Sequence, residues 1–183
     1  MPFATKAQDA AQLARINKAL QDMPPQSGGF VQQQANGSLL RGTYHMHWPN
    51  RLRFAYGADG PVITVRKNFL AVQDAPRAEP NWLPVSLTPL ALIRQAVADG
   101  VQPEMAVAFD AQPSYWALSL KDPSGETPGQ ATLYFSQPDG QLMGWQLVDV
   151  QNLVTQVQLV DRQTHQSLDE AVFAIDYDSE DEE

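Results

Sequence analysis

The amino-acid sequence predicts a mainly β protein, in which one curved antiparallel sheet of ten or eleven strands is covered by two helices. Three observations support this fold class. Short runs of alternating apolar and polar residues fill most of the chain, turns of a few residues separate the runs, and only two longer stretches have helical spacing. Consecutive short turns favour an antiparallel meander, because parallel neighbours need long crossover connections.

The first predicted element is a helix over residues 6–22. Leu13, Ile16 and Leu20 follow one another at intervals of three and four residues, which places them on one narrow helical face. Pro24 and Pro25 end the pattern, since a proline inside a helix removes a hydrogen bond and clashes with the preceding turn. We therefore expect an amphipathic N-terminal helix whose apolar stripe covers the sheet.

A hairpin follows, built from strands predicted over residues 30–34 and 39–48. The Asn36-Gly37 pair between these runs is a strong signal for a tight hairpin turn. Similar runs and turns continue along the chain and add eight strands, at residues 51–56, 61–66, 69–74, 105–110, 115–121, 131–137, 142–150 and 153–161. A helical turn over residues 168–173 and a short last strand over residues 174–177 complete the predicted elements.

A second helix, predicted over residues 89–98, interrupts the strands. Thr88 is expected to cap its start, Pro89 suits a first helical position, and Gly100 ends it. The residues expected to face the sheet are Leu90, Ile93 and Val97. An antiparallel sheet of this size does not stay flat, so it must curl around its own side chains or a ligand, with the two helices as a lid.

The apolar face near the first hairpin is the candidate interior. Strand alternation places five side chains on this face, namely Tyr44, Met46, Trp48, Leu52 and Phe54. Two interpretations remain open. These residues form an ordinary core, or they line a concave apolar cavity of the kind that usually holds a ligand.

Length and charge limit the classes of partner. The 183 residues suit a single domain, which we place at residues 1–177, followed by an acidic disordered tail at residues 178–183. The last eight residues hold six of the negative charges that give a net charge of −9, so the rest of the chain is close to neutral. Only 12 Lys and Arg residues are scattered along the chain, which argues against nucleic acid as a partner.

Cysteine content and the N-terminal residues bear on localisation. The chain has no cysteine, which excludes disulfides and thiolate sites and suits an exported protein. No apolar run approaches the ~20 residues of a membrane span, and residues 1–6 lack the apolar core of a signal peptide. We expect either a cytosolic protein or the mature form of an exported one that begins with a start methionine.

Signatures of catalysis are missing from the sequence. The common nucleophile, metalloprotease, P-loop and dinucleotide-binding motifs do not occur. His45 and His47 share one strand face and could reach one metal ion, but no carboxylate beside them completes a ligand set. We therefore predict no enzymatic activity, no metal and no cofactor, with both histidines on the outer face of the sheet.

Four segments resemble the LolA family of periplasmic outer-membrane lipoprotein carriers. Residues 42–56, GTYHMHWPNRLRFAY, are similar to the G-x-x-x-x-x-R-P-x-R-x-R-F-x-Y strand pair of that family, and residues 87–93, LTPLALI, resemble its T-P-x-x-L-L lid helix. GWQLVD at 144–149 with TQVQL at 155–159, and LDEAVF at 168–173, resemble its closing strands and its L-D-x-x-x-F turn. The order and spacing of these segments together identify the family better than any one of them.

This resemblance implies an unclosed antiparallel half β-barrel of about eleven strands, covered by two or three α-helices. Its interior would take the acyl chains of lipoproteins released from the inner membrane. The implied protein is a periplasmic monomer that receives acylated lipoproteins from a LolCDE-type inner-membrane transporter and delivers them to an outer-membrane acceptor. Leu13, Ile16, Leu20, Leu90, Ile93 and Val97 would form the lid.

One position departs from the family pattern. The family has an arginine immediately before the proline, where it bonds lid carbonyls and holds the empty cavity closed, whereas this chain has Trp48. Either Arg51 or Arg53 replaces that latch, or Trp48 itself closes the mouth through apolar contact. Two other functions also remain open, a carrier of another lipid or glycolipid and an adaptor whose concave face binds a protein without lipid.

Overall fold

The structure, a computed structural model, describes residues 6–179, with side chains from residue 10 onward. Its helices are α1 (Lys6–Gln21) and α2 (Leu90–Asp99). Its strands are β1 (Gln26–Gln33), β2 (Leu39–His47), β3 (Arg51–Ala55), β4 (Val62–Arg66), β5 (Phe69–Gln73), β6 (Asn81–Pro84), β7 (Ala106–Ala111), β8 (Tyr115–Leu120), β9 (Gln130–Ser136), β10 (Leu142–Val148) and β11 (Val154–Thr164). Short 3₁₀ helices span Val85–Leu87, Pro103–Met105 and Glu170–Phe173.

All eleven strands form one antiparallel sheet in the order β6-β5-β4-β3-β2-β1-β11-β10-β9-β8-β7. After α1 the chain enters the middle of the sheet at β1, runs strand by strand to the edge at β6, and crosses to the opposite edge at β7. It then returns to β11, which pairs with β1. Helix α2 lies on the crossover between the two edges. The sheet is not closed, because β6 and β7 are both edge strands, and the predicted half-barrel is confirmed.

The strand register places apolar side chains opposite one another on the concave face. Tyr44 pairs with Phe54 and Met46 pairs with Leu52 across β2 and β3. On the other half of the sheet, Trp116 of β8 faces a phenylalanine of β9. All of these side chains are buried in one hydrophobic cluster. The concave face is therefore apolar in both halves of the sheet.

Gly42 permits a close aromatic contact at the centre of the sheet. It pairs with Phe30, whose ring meets Phe54 and Tyr56 edge to face at centroid distances of 4.8 and 4.9 Å. A Cβ atom at position 42 would lie 2.0 Å from the carbonyl oxygen of Ala55 and 2.7 Å from the Phe30 ring. The site accordingly has no room for a side chain.

The chain after β11 crosses the convex face of the sheet. Phe173, in the last 3₁₀ helix, is fully buried, and the amide of Gln73 on β5 donates to the Asp176 carbonyl oxygen at 3.0 Å. Asp178 pairs with Arg77, so ordered contacts extend to the first residue of the predicted acidic tail. Residues 180–183 of that tail lie outside the described residues.

One strand prediction is wrong, and one strand was not predicted. Residues 174–177 form no strand, and only an isolated bridge joins Tyr177 to Arg77, because this segment lies across a face of the sheet instead of along an edge. The eleventh strand is instead β6, which the sequence pattern did not predict. It ends at Pro84 and follows Pro80, and prolines of this kind are tolerated in edge strands but obscure the strand pattern.

The predicted cap of the second helix is also wrong. The hydroxyl of Thr88 does not cap α2, because it donates instead to the Val85 carbonyl oxygen at 2.9 Å, and only the Thr88 backbone carbonyl accepts a bond from the helix, from the Ala91 N–H. The helical turn predicted over residues 168–173 is confirmed as the 3₁₀ helix Glu170–Phe173, and the side chain of Asp169 caps it.

We expect Gly42→Ala to lower the free energy of unfolding by about 1–3 kcal/mol, the usual cost of forcing extra atoms into a packed site. Urea unfolding followed by circular dichroism measures this change. Thr43→Ala is the matched control, since Thr43 is exposed on the same strand. Equal stability of the two variants would contradict the close contact described here.

Candidate functional site

The five predicted interior residues lie together on the concave face. Tyr44, Met46, Leu52 and Phe54 are buried, and Trp48 is 8 % exposed. All five belong to the hydrophobic cluster that fills the space between the sheet and the helices. In this conformation the interior is packed with the protein's own side chains.

Trp145 of β10 joins the two halves of the sheet within this interior. Its ring meets Phe54 edge to face at a centroid distance of 5.8 Å, and it meets Trp48 edge to face at 6.2 Å. Such aromatic pairs stabilise by ~0.5–1.5 kcal/mol beyond the area they bury. Trp48 lies in the turn between β2 and β3, and Phe54 lies on β3. The contacts with Trp145 therefore join this hairpin to the opposite half of the sheet.

Trp48 carries a polar group that the interior leaves unpaired. Its indole Nε1 is buried and has no hydrogen-bond partner among the described residues. A buried donor without an acceptor costs ~1–3 kcal/mol. The side chain of Trp48 is therefore held in the interior by apolar contact alone.

The six predicted lid residues pack onto the same cluster. Ile16, Leu20, Leu90 and Ile93 are buried, whereas Leu13 and Val97 are partly buried at its border. Leu92 and Ala96 of α2 are fully buried as well. Both helices therefore cover the concave face, and α2 is the more deeply embedded of the two.

Polar contacts hold each helix in place. Asn17 of α1 accepts a hydrogen bond from the Val101 backbone N–H at 2.7 Å and donates one to the Val101 carbonyl oxygen at 3.3 Å. Arg94 of α2 donates to the side-chain oxygens of Asn68 at 2.7 Å and Asn50 at 3.3 Å. The first contact ties α1 to the loop after α2, and the second ties α2 to two turns of the sheet.

Arg51 and Arg53, the other candidate gate residues, lie on the convex face. Arg51 pairs with Glu170, and its guanidinium lies 5.9 Å from the centroid of the Phe173 ring. Arg53 reaches toward the Val172 carbonyl oxygen at 3.5 Å. The structure brings these two arginines to the C-terminal segment and does not bring them to the lid helices.

His45 and His47 lie on the convex face of β2, directly opposite Arg53 and Arg51 of β3 respectively. Burial lowers the pKa of both imidazoles, and the positive charges of Arg53 and Arg51 respectively lower it further. His47 Nδ1 lies 3.1 Å from a guanidinium nitrogen of Arg51. Among residues 6–179, no group of three or more His, Cys, Asp or Glu side chains is arranged to hold a metal ion.

A groove of about 820 Å³ opens between α1 and the edge strand β7, within the ~300–1,000 Å³ typical of small-molecule sites. Leu13 of α1 and Phe109 of β7 line it, and both also pack against the hydrophobic cluster. Val107 adds an exposed apolar side chain on the same strand. The groove therefore leads from solvent to the border of the packed interior.

Two contributors to this site were not predicted. Trp145 lies in the strand predicted over residues 142–150, and strand alternation could have placed it on the concave face. Asn17 lies among the polar residues of α1 and carries no sequence signal, because its role depends on a loop 84 positions away.

No helix within the described part of the chain is both long and apolar enough to cross a membrane.

Comparison with known structures places this fold. A LolA superfamily protein from Nitrosomonas europaea is similar, with a TM-score of 0.51 and 12 % identity over 94 % of this chain and 99 % of that one. An uncharacterized conserved protein from Thermus thermophilus has a TM-score of 0.51 and 13 % identity, covering 91 % of this chain and 93 % of that one. A DUF1329 family protein from Desulfovibrio piger has a TM-score of 0.50 and 9 % identity, covering 93 % and 98 %.

Sequence comparison identifies the family. Among curated proteins, no sequence is significantly similar to this chain. Residues 25–176, which include all eleven strands and α2, match the family described as outer membrane lipoprotein carrier protein LolA. This match covers most of the 183 residues, and the chain belongs to the LolA family.

Proposed function

We propose that this protein is a periplasmic carrier that shields the acyl chains of lipoproteins in its concave interior and moves them from the inner to the outer membrane. A LolCDE-type transporter would be the donor, and an outer-membrane receptor would be the acceptor. The carrier unit is residues 1–177, acts as a monomer and performs no catalysis. The observation that carries this proposal is an apolar concave face covered by two separate helices in a member of the LolA family.

The packed interior explains how such a carrier could release its cargo. Burial of an acyl chain is worth ~0.8 kcal/mol per CH₂ group, so one sixteen-carbon chain would gain about 12 kcal/mol in a site already open. A binding site of that strength would not hand its cargo on. Here the protein's own side chains fill the interior, and the cost of displacing them offsets part of the gain.

Helix α1 is the better candidate for the moving part of the lid. It has two fully buried apolar side chains, Ile16 and Leu20, and burial of each is worth ~1.5–3 kcal/mol. Helix α2 is held more firmly, because its buried face is larger and Arg94 binds two turns of the sheet. Outward movement of α1 would widen the groove beside β7 and expose the interior.

A second candidate function is an adaptor that binds a protein segment along an edge of the sheet. The edge strands favour it, because Trp82 of β6 and Val107 of β7 are each 51 % exposed and an unpaired strand edge can accept an added strand. A carrier of another lipid or glycolipid would use the same interior, and only the bound molecule would distinguish it.

A disulfide between α1 and the sheet tests the lid. A Cβ atom at Gly140, in the β9–β10 turn, would lie 3.8 Å from the Cβ of Ala19, which is the mean separation in disulfides. We expect oxidised Ala19→Cys/Gly140→Cys to lose most uptake of a fluorescent acyl lipid and to regain it on reduction.

The chain has no cysteine of its own, so the single variants Ala19→Cys and Gly140→Cys cannot form this disulfide and serve as controls. Gly140→Cys also measures the effect of a side chain at the positive φ of residue 140. If the oxidised protein takes up acyl lipid as fast as the reduced protein, α1 does not act as a lid.

Trp48 can be tested as the apolar gate. Trp48→Ala should cost about 3–5 kcal/mol of stability and raise the binding of Nile red to the empty protein, because it removes the contact with Trp145. Trp48→Phe keeps an aromatic ring and deletes the unpaired N–H, so it should leave dye binding low. Trp82→Ala is the control at an exposed tryptophan, and equal dye binding by Trp48→Ala and Trp82→Ala would make Trp48 an ordinary core residue.

Asn17 can be tested as the polar latch of α1. Asn17→Ala removes both hydrogen bonds to Val101, and we expect faster uptake and faster release of acyl lipid in stopped-flow fluorescence. Gln21→Ala, at an exposed position of the same helix, should behave as the wild type. Unchanged rates in Asn17→Ala would show that this contact does not limit lid movement.

A further inference from the structure

A second cavity, of about 340 Å³, lies at the C-terminal end of α1, against the β9–β10 turn and the ends of β8 and β11. Three of the chain's 12 basic side chains line it, namely Arg15, Lys18 and Arg162. Two carboxylates, Asp22 and Asp139, also line it, and Lys18 pairs with Asp22. The cavity thus carries a net positive charge in a protein whose overall charge is −9.

Arg15 is held at this cavity by an aromatic ring. Its guanidinium carbon lies 4.3 Å from the centroid of the Trp116 ring, a geometry typical of a cation–π contact. Among the described residues, Arg15 forms no ion pair with a carboxylate. Its charge therefore remains available to a ligand.

Arg162 is fixed on the opposite wall. One terminal nitrogen donates to Gln141 Oε1 at 2.6 Å, and the other donates to the Leu142 carbonyl oxygen. Its Nε atom is buried and has no partner among the described residues. Two neutral acceptors thus orient the guanidinium, and its positive charge is not neutralised.

The inner wall combines polar and apolar groups. Gln26 is buried, and its side-chain oxygen accepts a hydrogen bond from the Tyr44 hydroxyl at 3.1 Å. Trp116 and Leu142 are buried members of the hydrophobic cluster, and Met23 packs against it. The cavity therefore has basic side chains at its opening, and its inner wall contains residues that also belong to the concave interior.

We propose that this cavity binds the anionic headgroup, a phosphate monoester or a carboxylate, of an amphiphile whose hydrocarbon chain occupies the concave interior. Guanidinium groups suit such anions, because their N–H groups match the spacing of paired oxygen atoms. This inference rests on the proposed function for the position of the chain. The basic side chains at the opening of the cavity are a feature of the structure that does not depend on the proposed function.

Two amphiphiles with the same chain separate the headgroup from the chain. Calorimetric titration below the micelle concentration compares dodecyl phosphate with dodecyl maltoside, and inorganic phosphate alone is the third probe. We expect dodecyl phosphate to bind about tenfold or more tightly than dodecyl maltoside, since a charge-assisted hydrogen bond is about twice as strong as a neutral one. Inorganic phosphate should bind far more weakly than either.

Charge variants assign the preference to this cavity. Arg15→Gln/Arg162→Gln should reduce dodecyl phosphate affinity to that of dodecyl maltoside and leave maltoside binding unchanged. Arg41→Gln/Arg66→Gln removes the same charge at exposed strand positions and should keep the preference. Arg15→Lys retains the charge over Trp116 and should largely keep it too, whereas Asp139→Asn should strengthen phosphate binding.

The outcomes distinguish the two proposals. Equal affinity for the two amphiphiles in the wild type, or a preference that survives in Arg15→Gln/Arg162→Gln, would overturn the headgroup site and leave the acyl carrier intact. Failure of both amphiphiles to bind would overturn both proposals. Binding of inorganic phosphate as tight as that of dodecyl phosphate would overturn the amphiphile and identify free phosphate as the ligand.

Discussion

The whole structure depends on an apolar concave face that the sheet cannot close upon itself. The edge strands β6 and β7 stand at opposite ends of the strand order, so strand pairing cannot bury the aromatic side chains between them. Helices must cover that face, and chain connectivity places α2 on the crossover between the edges. Helix α1 precedes the central strand β1 and covers the rest. In this fold, the elements that complete the core are also those that would control access to it.

The two helices are anchored unequally. Helix α2 buries Leu92, Ile93 and Ala96 completely and binds two turns of the sheet through Arg94. The described side chains of helix α1, from residue 10 onward, combine a narrower apolar stripe with the paired contact of Asn17 and the contact of Arg15 with the Trp116 ring. Local opening follows the weakest set of contacts, so a lid built this way would open at α1 first. The groove beside β7 lies next to that helix, which gives the proposed movement a direction.

Much of this arrangement could be predicted from sequence, because strand alternation and helical spacing report directly on which face is buried. The interior residues and the apolar stripe of α1 were predicted from the spacing of apolar residues alone. Edge strand β6 was not predicted, because its prolines are typical of a loop. The buried face of α2 includes Leu92 and Ala96, which lie outside the helix face that was predicted to contact the sheet. Contacts such as that between Asn17 and Val101 join residues 84 positions apart. No local pattern encodes a contact of this kind.

Trp48 stands where the resemblance to the LolA family implies a latch arginine, and its chemistry would change how a closed form is stabilised. A buried guanidinium would need several acceptors from the lid, whereas an indole has one donor, and in Trp48 even that donor is unpaired. Trp48 is therefore held here by packing against Trp145, and a buried N–H without an acceptor costs ~1–3 kcal/mol. A cargo that offers an ester or amide carbonyl to Trp48 would recover that energy on entry. The same side chain would then favour closure through its ring and loading through its nitrogen, while the hydrogen bonds that hold the two helices come from other residues, Asn17 on α1 and Arg94 on α2.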